Sequence, residues 1–244
     1  MQHHPADGPS QRNARPNEVG TVFPLKEISS IVKRLNPTAL VHCDAVQGFG
    51  KIPFTVDGLG VDLLSVSAHK VNGISGCGAL YARNGIRLSA RQFGGGQERG
   101  LRSGTEATAL IAAFGEAARV TFERLPASAS YITELRDYAL SELSRCFPYI
   151  RLNTDNNCAP HIVSFTLPGV KAVDAVISLG EEGICISNGA ACKSNTPHGE
   201  DKRGQALESY GLSDALIRST LRVSFCASNT KSEINAFINA LKAL

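Results

Sequence analysis

The reading of the fold turns on 62-DLLSVSAHKVNG-73. Leu63, Leu64 and Val66 have the short apolar texture of a buried strand, and Ser67, His69 and Lys70 follow within four residues before Asn72-Gly73 turns the chain. A strand that ends in a hydroxyl, an imidazole and an amine puts its chemistry at its carboxyl end. Ligands of open parallel sheets bind beyond those ends, so this stretch predicts a pocket there.

Upstream, 39-ALVHCD-44 reads as a neighbouring strand ending at Asp44, and downstream 76-GCGALYAR-83 reads as a third, with glycines on either side. Before them, Leu25, Ile28, Ile31, Val32 and Leu35 mark one face of a helix that Asn36-Pro37 ends. After them comes the glycine-rich turn 93-FGGGQERGLRSGTEA-107. It leads into an alanine-rich helix expected from about Thr105 to Arg124, with Ser103 and Glu106 at capping-box spacing. This alternation of strand and helix predicts a mostly parallel α/β sheet.

Past 124-RLPASAS-130 the texture becomes that of a smaller α+β unit. A helix over about 130–145, a strand at 161-HIVSFTL-167, a helix over about 170–179, and strands at 183-GICIS-187 and 219-STLRVSF-225 precede a last helix. Thr230 and Glu233 form a capping box for that helix, and Ile234, Phe237, Ile238, Leu241 and Leu244 form its apolar stripe. The domain boundary is expected near Pro126, giving a leader over 1–16 that is disordered or mis-assigned, a large domain over 17–125 and a small one over 126–244.

Composition narrows the function classes. Hydrophobic residues at 43% and charged residues at 19% describe a globular chain, and a formal charge of +3 without a basic stripe argues against nucleic acid. No run of about eighteen apolar residues suggests a membrane span, and the opening residues lack the apolar core of a secretory signal, so the expected location is cytoplasmic. Seven cysteines without a C-x-x-C pair fit reduced thiols, mostly small core residues, rather than a disulfide framework or a metal site.

Asp44 and Lys70 both stand at carboxyl ends of predicted strands. A lysine and an aspartate in one such pocket suit pyridoxal 5'-phosphate: the amine captures the aldehyde and the carboxylate keeps the pyridine nitrogen protonated. Each residue alone reads more simply as a surface charge. His42, inside its strand, reads as a packing histidine.

The residues 42-HCDAVQGFGKIPFTVDGLGVDLLSVSAHKVNGISGCGALYAR-83 and 94-GGGQERGLRSGTE-106 together resemble the cysteine desulfurases of the NifS and IscS type. These are pyridoxal-phosphate enzymes of the class V aminotransferase group. The resemblance implies the C-terminal part of an aspartate aminotransferase-like, fold type I large domain plus a small α+β domain. In that frame Lys70 carries the cofactor, Asp44 meets its pyridine nitrogen, Gln47 its phenolic oxygen, and Ser67 and His69 its phosphate. Asn17, in 17-NEVG-20, lies near the ring. Thr105 reaches the phosphate of the other subunit, which implies a homodimer.

The same resemblance makes Cys192, in 186-ISNGAACKSN-195, the nucleophile, and Arg222 the holder of the substrate carboxylate. The implied reaction converts L-cysteine to L-alanine and leaves the sulfur on Cys192 as a persulfide. Its acceptor is an iron–sulfur scaffold or carrier protein, or a thio-cofactor pathway. Relatives carry, ahead of the part matched here, further strands, a phosphate-binding glycine-threonine turn and a ring-stacking histidine that this sequence does not contain. Two alternatives follow: a truncated, non-catalytic remnant or interaction module, and a selenocysteine lyase.

Overall fold

The computed structural model describes residues 18–188 and 205–244, so the leader over 1–16, Asn17 and Cys192 lie outside the described residues. Two compact units emerge. One is built from residues 24–125, the other from 126–244 together with residues 18–23, a segment the sequence reading had grouped with the first domain.

The first unit holds helix α1 (Leu25–Leu35), strand β1 (His42–Asp44), a one-turn helix α2 (Val56–Leu59), strand β2 (Leu63–Ser67) and strand β3 (Gly78–Ala82). β1 runs parallel to β2 with Asp44 opposite Ser65, whereas β3 runs antiparallel to β2, so the sheet expected to be mostly parallel has one ladder of each sense among the described residues. Side chains alternate across a strand. Cys43, Leu64 and Val66 therefore enter a core with Val61, Ala68, Val71 and Phe114. His42, Asp44, Ser65 and Ser67, on the other face, are partly buried. Phe49 meets Phe114 and Phe122 edge to face, at ring-centre distances of 6.2 and 5.0 Å, which seats the following helix on this core.

Buried Asp62 fixes the start of this sheet. Its Oδ2 accepts the Val41 amide at 2.8 Å and pairs with Lys33 Nζ of α1 at 2.7 Å, while Lys33 also donates to the Ala39 carbonyl at 2.7 Å. Burial alone would push the Asp62 pKa up. The hydrogen bonds from Lys33 and the Val41 amide, with the charges of Lys33 and Arg83, outweigh it and hold the carboxyl below its ordinary 3.8.

Helix α3 (Thr108–Cys146) replaces the two helices read from the sequence and carries Pro126 inside it. The ring removes one backbone donor, yet helix continues on both sides. α3 also starts three residues later than expected, and the Ser103–Glu106 capping box is not formed. Ser103 Oγ instead donates to the Phe93 carbonyl at 2.8 Å. That bond, with a bridge between Gln92 and Arg102, closes the base of the glycine-rich loop.

The second unit contains strands β4 (Arg151–Leu152), β5 (Ile162–Thr166) and β6 (Thr220–Ser224), all antiparallel in the order β4-β5-β6. Helices α4 (Ala172–Glu181) and α7 (Lys231–Leu241), with the later turns of α3, cover one face. Phe165, Leu135, Leu143, Leu179 and Leu221 fill the core between them. The Thr230–Glu233 capping box is formed, and the apolar stripe of α7 is buried through Leu241, with Leu244 exposed beyond the helix end.

On the other face of β5 the buried hydroxyls pair among themselves, Thr166 Oγ1 with Thr220 Oγ1 at 2.7 Å and Asn153 Nδ2 onto Thr166 at 3.1 Å. Short helices α5 (Gln205–Ser209) and α6 (Asp214–Ile217) supply Leu207 and Leu216, and the turn between them Leu212, to a satellite cluster with Val19 and Cys158. The segment 183–187, expected as a strand, makes an isolated bridge from Ser187 to Arg222. No helix among the described residues is long and apolar enough to cross a membrane.

Candidate active site

The first unit assembles its polar residues where β1 and β2 end. β2 stops at Ser67 and passes straight into a tight turn, Ala68–Val71, whose Ala68 and Val71 are buried and whose His69 and Lys70 are exposed and partly buried respectively. Asn72 adopts left-handed backbone at φ 60°, and the Gly73 amide returns to the Ala68 carbonyl at 2.9 Å. A Cβ on Gly73 would stand 2.8 Å from that carbonyl oxygen, so the turn carrying Lys70 requires glycine there.

Asp44 ends β1, adjacent to β2 in the sheet. Its Oδ1 accepts the Val46 amide at 3.0 Å, which fixes the carboxylate, and its Oδ2 has no hydrogen-bond partner among the described residues. Lys70 Nζ likewise has no hydrogen bond or ion pair among the described residues. Asp44 and Lys70, both partly buried, thus stand at and just past the ends of two neighbouring strands without partners for Oδ2 and Nζ among the described residues. Gln47 is partly buried in the turn three residues after Asp44.

Ser67 Oγ and His69 Nδ1 are hydrogen-bonded at 2.7 Å. The pair leaves His69 Nε2 on the exposed side, with no hydrogen bond among the described residues. Thr105 is exposed in the turn ahead of α3. The helix itself begins at Thr108, Ser103 is committed to Phe93, and the Gly104 amide donates to Gln97 Oε1 at 3.3 Å.

Arg222 belongs to the second unit, on the face of β6 that it shares with Thr220. Its backbone exchanges two hydrogen bonds with Ser187, at 2.7 and 3.1 Å. Ser187 stands five positions before Cys192 in the chain. Among the described residues no group of His, Cys, Asp and Glu could hold a metal ion.

Residues 13–237 match the family model for the class V aminotransferases. The chain belongs to the class V aminotransferase family. A cysteine desulfurase IscS of Clostridium botulinum is 35% identical over 228 residues, which is 92% of this chain and 56% of that protein. A solved NifS-like protein superposes with a TM-score of 0.83 at 33% identity, covering 95% of this chain and 59% of the other. A structure of SspA in complex with cysteine matches at a TM-score of 0.67 and 32% identity, over 89% and 58% of the two chains. The chain thus spans about half the length of the curated relatives it matches.

Family membership agrees with the fold read from the sequence, a PLP-dependent transferase large domain joined to a small α+β domain. Enzymes of this family depend on pyridoxal phosphate, and the donor set at the ends of β1 and β2 suits that group. There is an amine for its aldehyde, a carboxylate for its ring nitrogen, and hydroxyl and imidazole donors for its phosphate. One structural requirement carries no motif signal in the sequence: Gly73 matters through the approach of its backbone to Ala68.

Proposed function

We propose that this chain carries the cofactor-binding and sulfur-accepting residues of a cysteine desulfurase. The observation that bears most weight is the pair of groups without partners among the described residues, Asp44 Oδ2 and Lys70 Nζ, at the carboxyl ends of neighbouring parallel strands. Asp44, Gln47, Ser67, His69 and Lys70 hold pyridoxal phosphate in this reading, with Asn17 and Thr105 as further contacts. When bound, that group withdraws electrons from the substrate α-carbon.

The protein's own residues do the rest. Arg222 grips the carboxylate of L-cysteine through parallel N–H bonds and so orients the α-hydrogen. Lys70 Nζ takes that proton and returns it. The Cys192 thiolate attacks the substrate sulfur: an S–S bond forms, the C–S bond breaks, and the carbon keeps the electron pair and is protonated, so L-alanine leaves. The persulfide then passes to an iron–sulfur scaffold, a carrier or a thio-cofactor pathway, and the working unit is a homodimer in the cytoplasm. Free thiols support that location, since all six described cysteines are unbridged.

A second reading, an interaction module without catalysis, draws support from the first unit's open sheet. Leu80 on edge strand β3 is 54% exposed and Leu35 of α1 is 79% exposed, apolar surface of the kind that partners cover. One experiment separates the two. Mixed with pyridoxal phosphate, the purified chain is expected to show the visible band of a lysine-bound cofactor, to lose it in Lys70→Ala, and to keep it in Cys192→Ser while sulfide release from cysteine stops. A colourless wild-type chain refutes the enzyme reading in favour of the module.

A further inference from the structure

One threonine of α3 reaches the turn that carries Lys70. Serine and threonine inside a helix ordinarily return their hydroxyl to the carbonyl four residues earlier, as Thr133 does to Ala129 at 2.8 Å and Ser144 to Leu140 at 2.9 Å in this same helix. Thr121 Oγ1 instead donates across the core to the Val71 carbonyl, at 3.4 Å and 50 positions away in the chain. Val71 directly follows Lys70 and is 3% exposed, and among the described residues no other hydrogen bond reaches its carbonyl. The Thr121 methyl closes the same spot. A Cβ added at Gly50 would stand 2.5 Å from Thr121 Cγ2 and 2.9 Å from Val71 Cγ1, so Gly50, Thr121 and Val71 fill one another's space.

Gly50 stands at the end of the turn that follows Asp44 and contains Gln47, where the Gly48 and Phe49 amides both return to the Ala45 carbonyl at 2.8 Å. Phe49 of that turn meets Phe114 and Phe122 of α3, and Phe114 and Ala118 belong to the same core cluster as Val71. Residues three and four apart share a helix face, so one face of α3 rests on both turns. On its other side the Lys70 turn is held by the Ala68 amide, which donates to the Cys77 carbonyl at 3.0 Å. His69 and Lys70 thus lie between two anchored residues, and the carbonyl of the second anchor, Val71, is held by Thr121. We propose that Thr121 is a positioning residue for Lys70: its hydroxyl holds the Val71 carbonyl, and its methyl sets the Lys70 turn against the turn of Asp44 and Gln47. An amine captures an aldehyde only from the right distance and direction, so a Lys70 turn released from α3 holds pyridoxal phosphate less tightly and captures it more slowly. This rests on the proposed cofactor site and deepens it.

The test uses the full chain and two variants that divide the side chain. Thr121→Val keeps the methyl and removes the donor, and Thr121→Ser keeps the donor. Each is read by titration of pyridoxal phosphate, by the rate at which the visible band appears on mixing, and by the visible circular dichroism of the bound cofactor, with the urea midpoint reporting stability. Thr121→Val is expected to weaken binding about three- to tenfold, the value of one hydrogen bond, to slow the appearance of the band and to alter the visible circular dichroism. Thr121→Ser should recover most of the affinity and the rate. If Thr121→Val does not fold, Thr121→Ala and Thr121→Ser decide by the same readings. Unchanged affinity, rate and visible signal in a folded variant without the hydroxyl overturn the inference, even where the urea midpoint falls, and so does a Thr121→Ser variant no better than that one. A wild-type chain that binds no cofactor overturns instead the site on which it rests, and is told apart by the missing band in the unmodified protein.

Discussion

Replacing Asp62 with alanine removes a side chain that ties α1, the start of β1 and the start of β2 together. The Val41 amide loses a charged acceptor at 2.8 Å, and a hydrogen bond to a charged group contributes about 1.5 to 3 kcal/mol. The Lys33 ammonium, whose side chain is 34% exposed, can return to water, so the ion pair adds less than about 1 kcal/mol. The expected loss is about 2 to 3 kcal/mol for local opening of the sheet, or about 30- to 150-fold faster exchange of protected amides. Hydrogen exchange read by mass spectrometry on peptides spanning 39–45 and 63–67 measures it in the intact chain. The pH dependence gives a second check. The folded-state pKa of Asp62 is depressed, so its contribution is fully present above the ordinary value of 3.8 and fades as pH falls through the lowered one. Wild type and Asp62→Ala should therefore differ at neutral pH and converge in acid. A change below about threefold at neutral pH refutes the claim that Asp62 anchors β1.

Gly50→Ala should destabilise the first unit by about 1 to 3 kcal/mol, seen as a lower urea midpoint. The new Cβ would stand 2.5 Å from Thr121 Cγ2 and 2.9 Å from Val71 Cγ1, beside the Lys70 turn, at a backbone φ of +66°; an unchanged midpoint refutes that packing. Alkylation followed by peptide mapping should modify exposed Cys185 and Cys226 first and leave Cys43 and Cys158 until the chain unfolds. Burial pushes the Cys158 thiol pKa up, against a hydrogen bond from the Asp155 backbone, which lowers its thiolate fraction further. Labelling of Cys158 as fast as Cys185 would contradict its buried placement.

Legibility in the sequence followed the range of the interactions involved. α7 was readable because a capping box and an apolar stripe are local, although the stripe ends at Leu241 where the helix does. Ser103 misled for the opposite reason: its hydroxyl had a partner ten residues back, at Phe93, that no capping rule considers. Pro126 misled because a proline usually ends a helix, and here the helix continues through it. Helices α2, α5 and α6 and strand β4 were missed because elements this short show no measurable period. Of the six described cysteines expected mostly in the core, two, Cys43 and Cys158, are buried, while Cys77 and Cys146 are partly buried and Cys185 and Cys226 exposed.

The residue types at the strand ends, Asp44, Ser67, His69 and Lys70, were written in the sequence, since the apolar runs before them mark where each strand must stop. Which groups stand side by side was not. The pairing of Asp44 with Ser65, the bond from His42 to Ser65 and the tie from Ser187 to Arg222 depend on strand register. Register is set by how whole faces bury against the core, a property of many distant side chains at once, and so only the tertiary structure decided it.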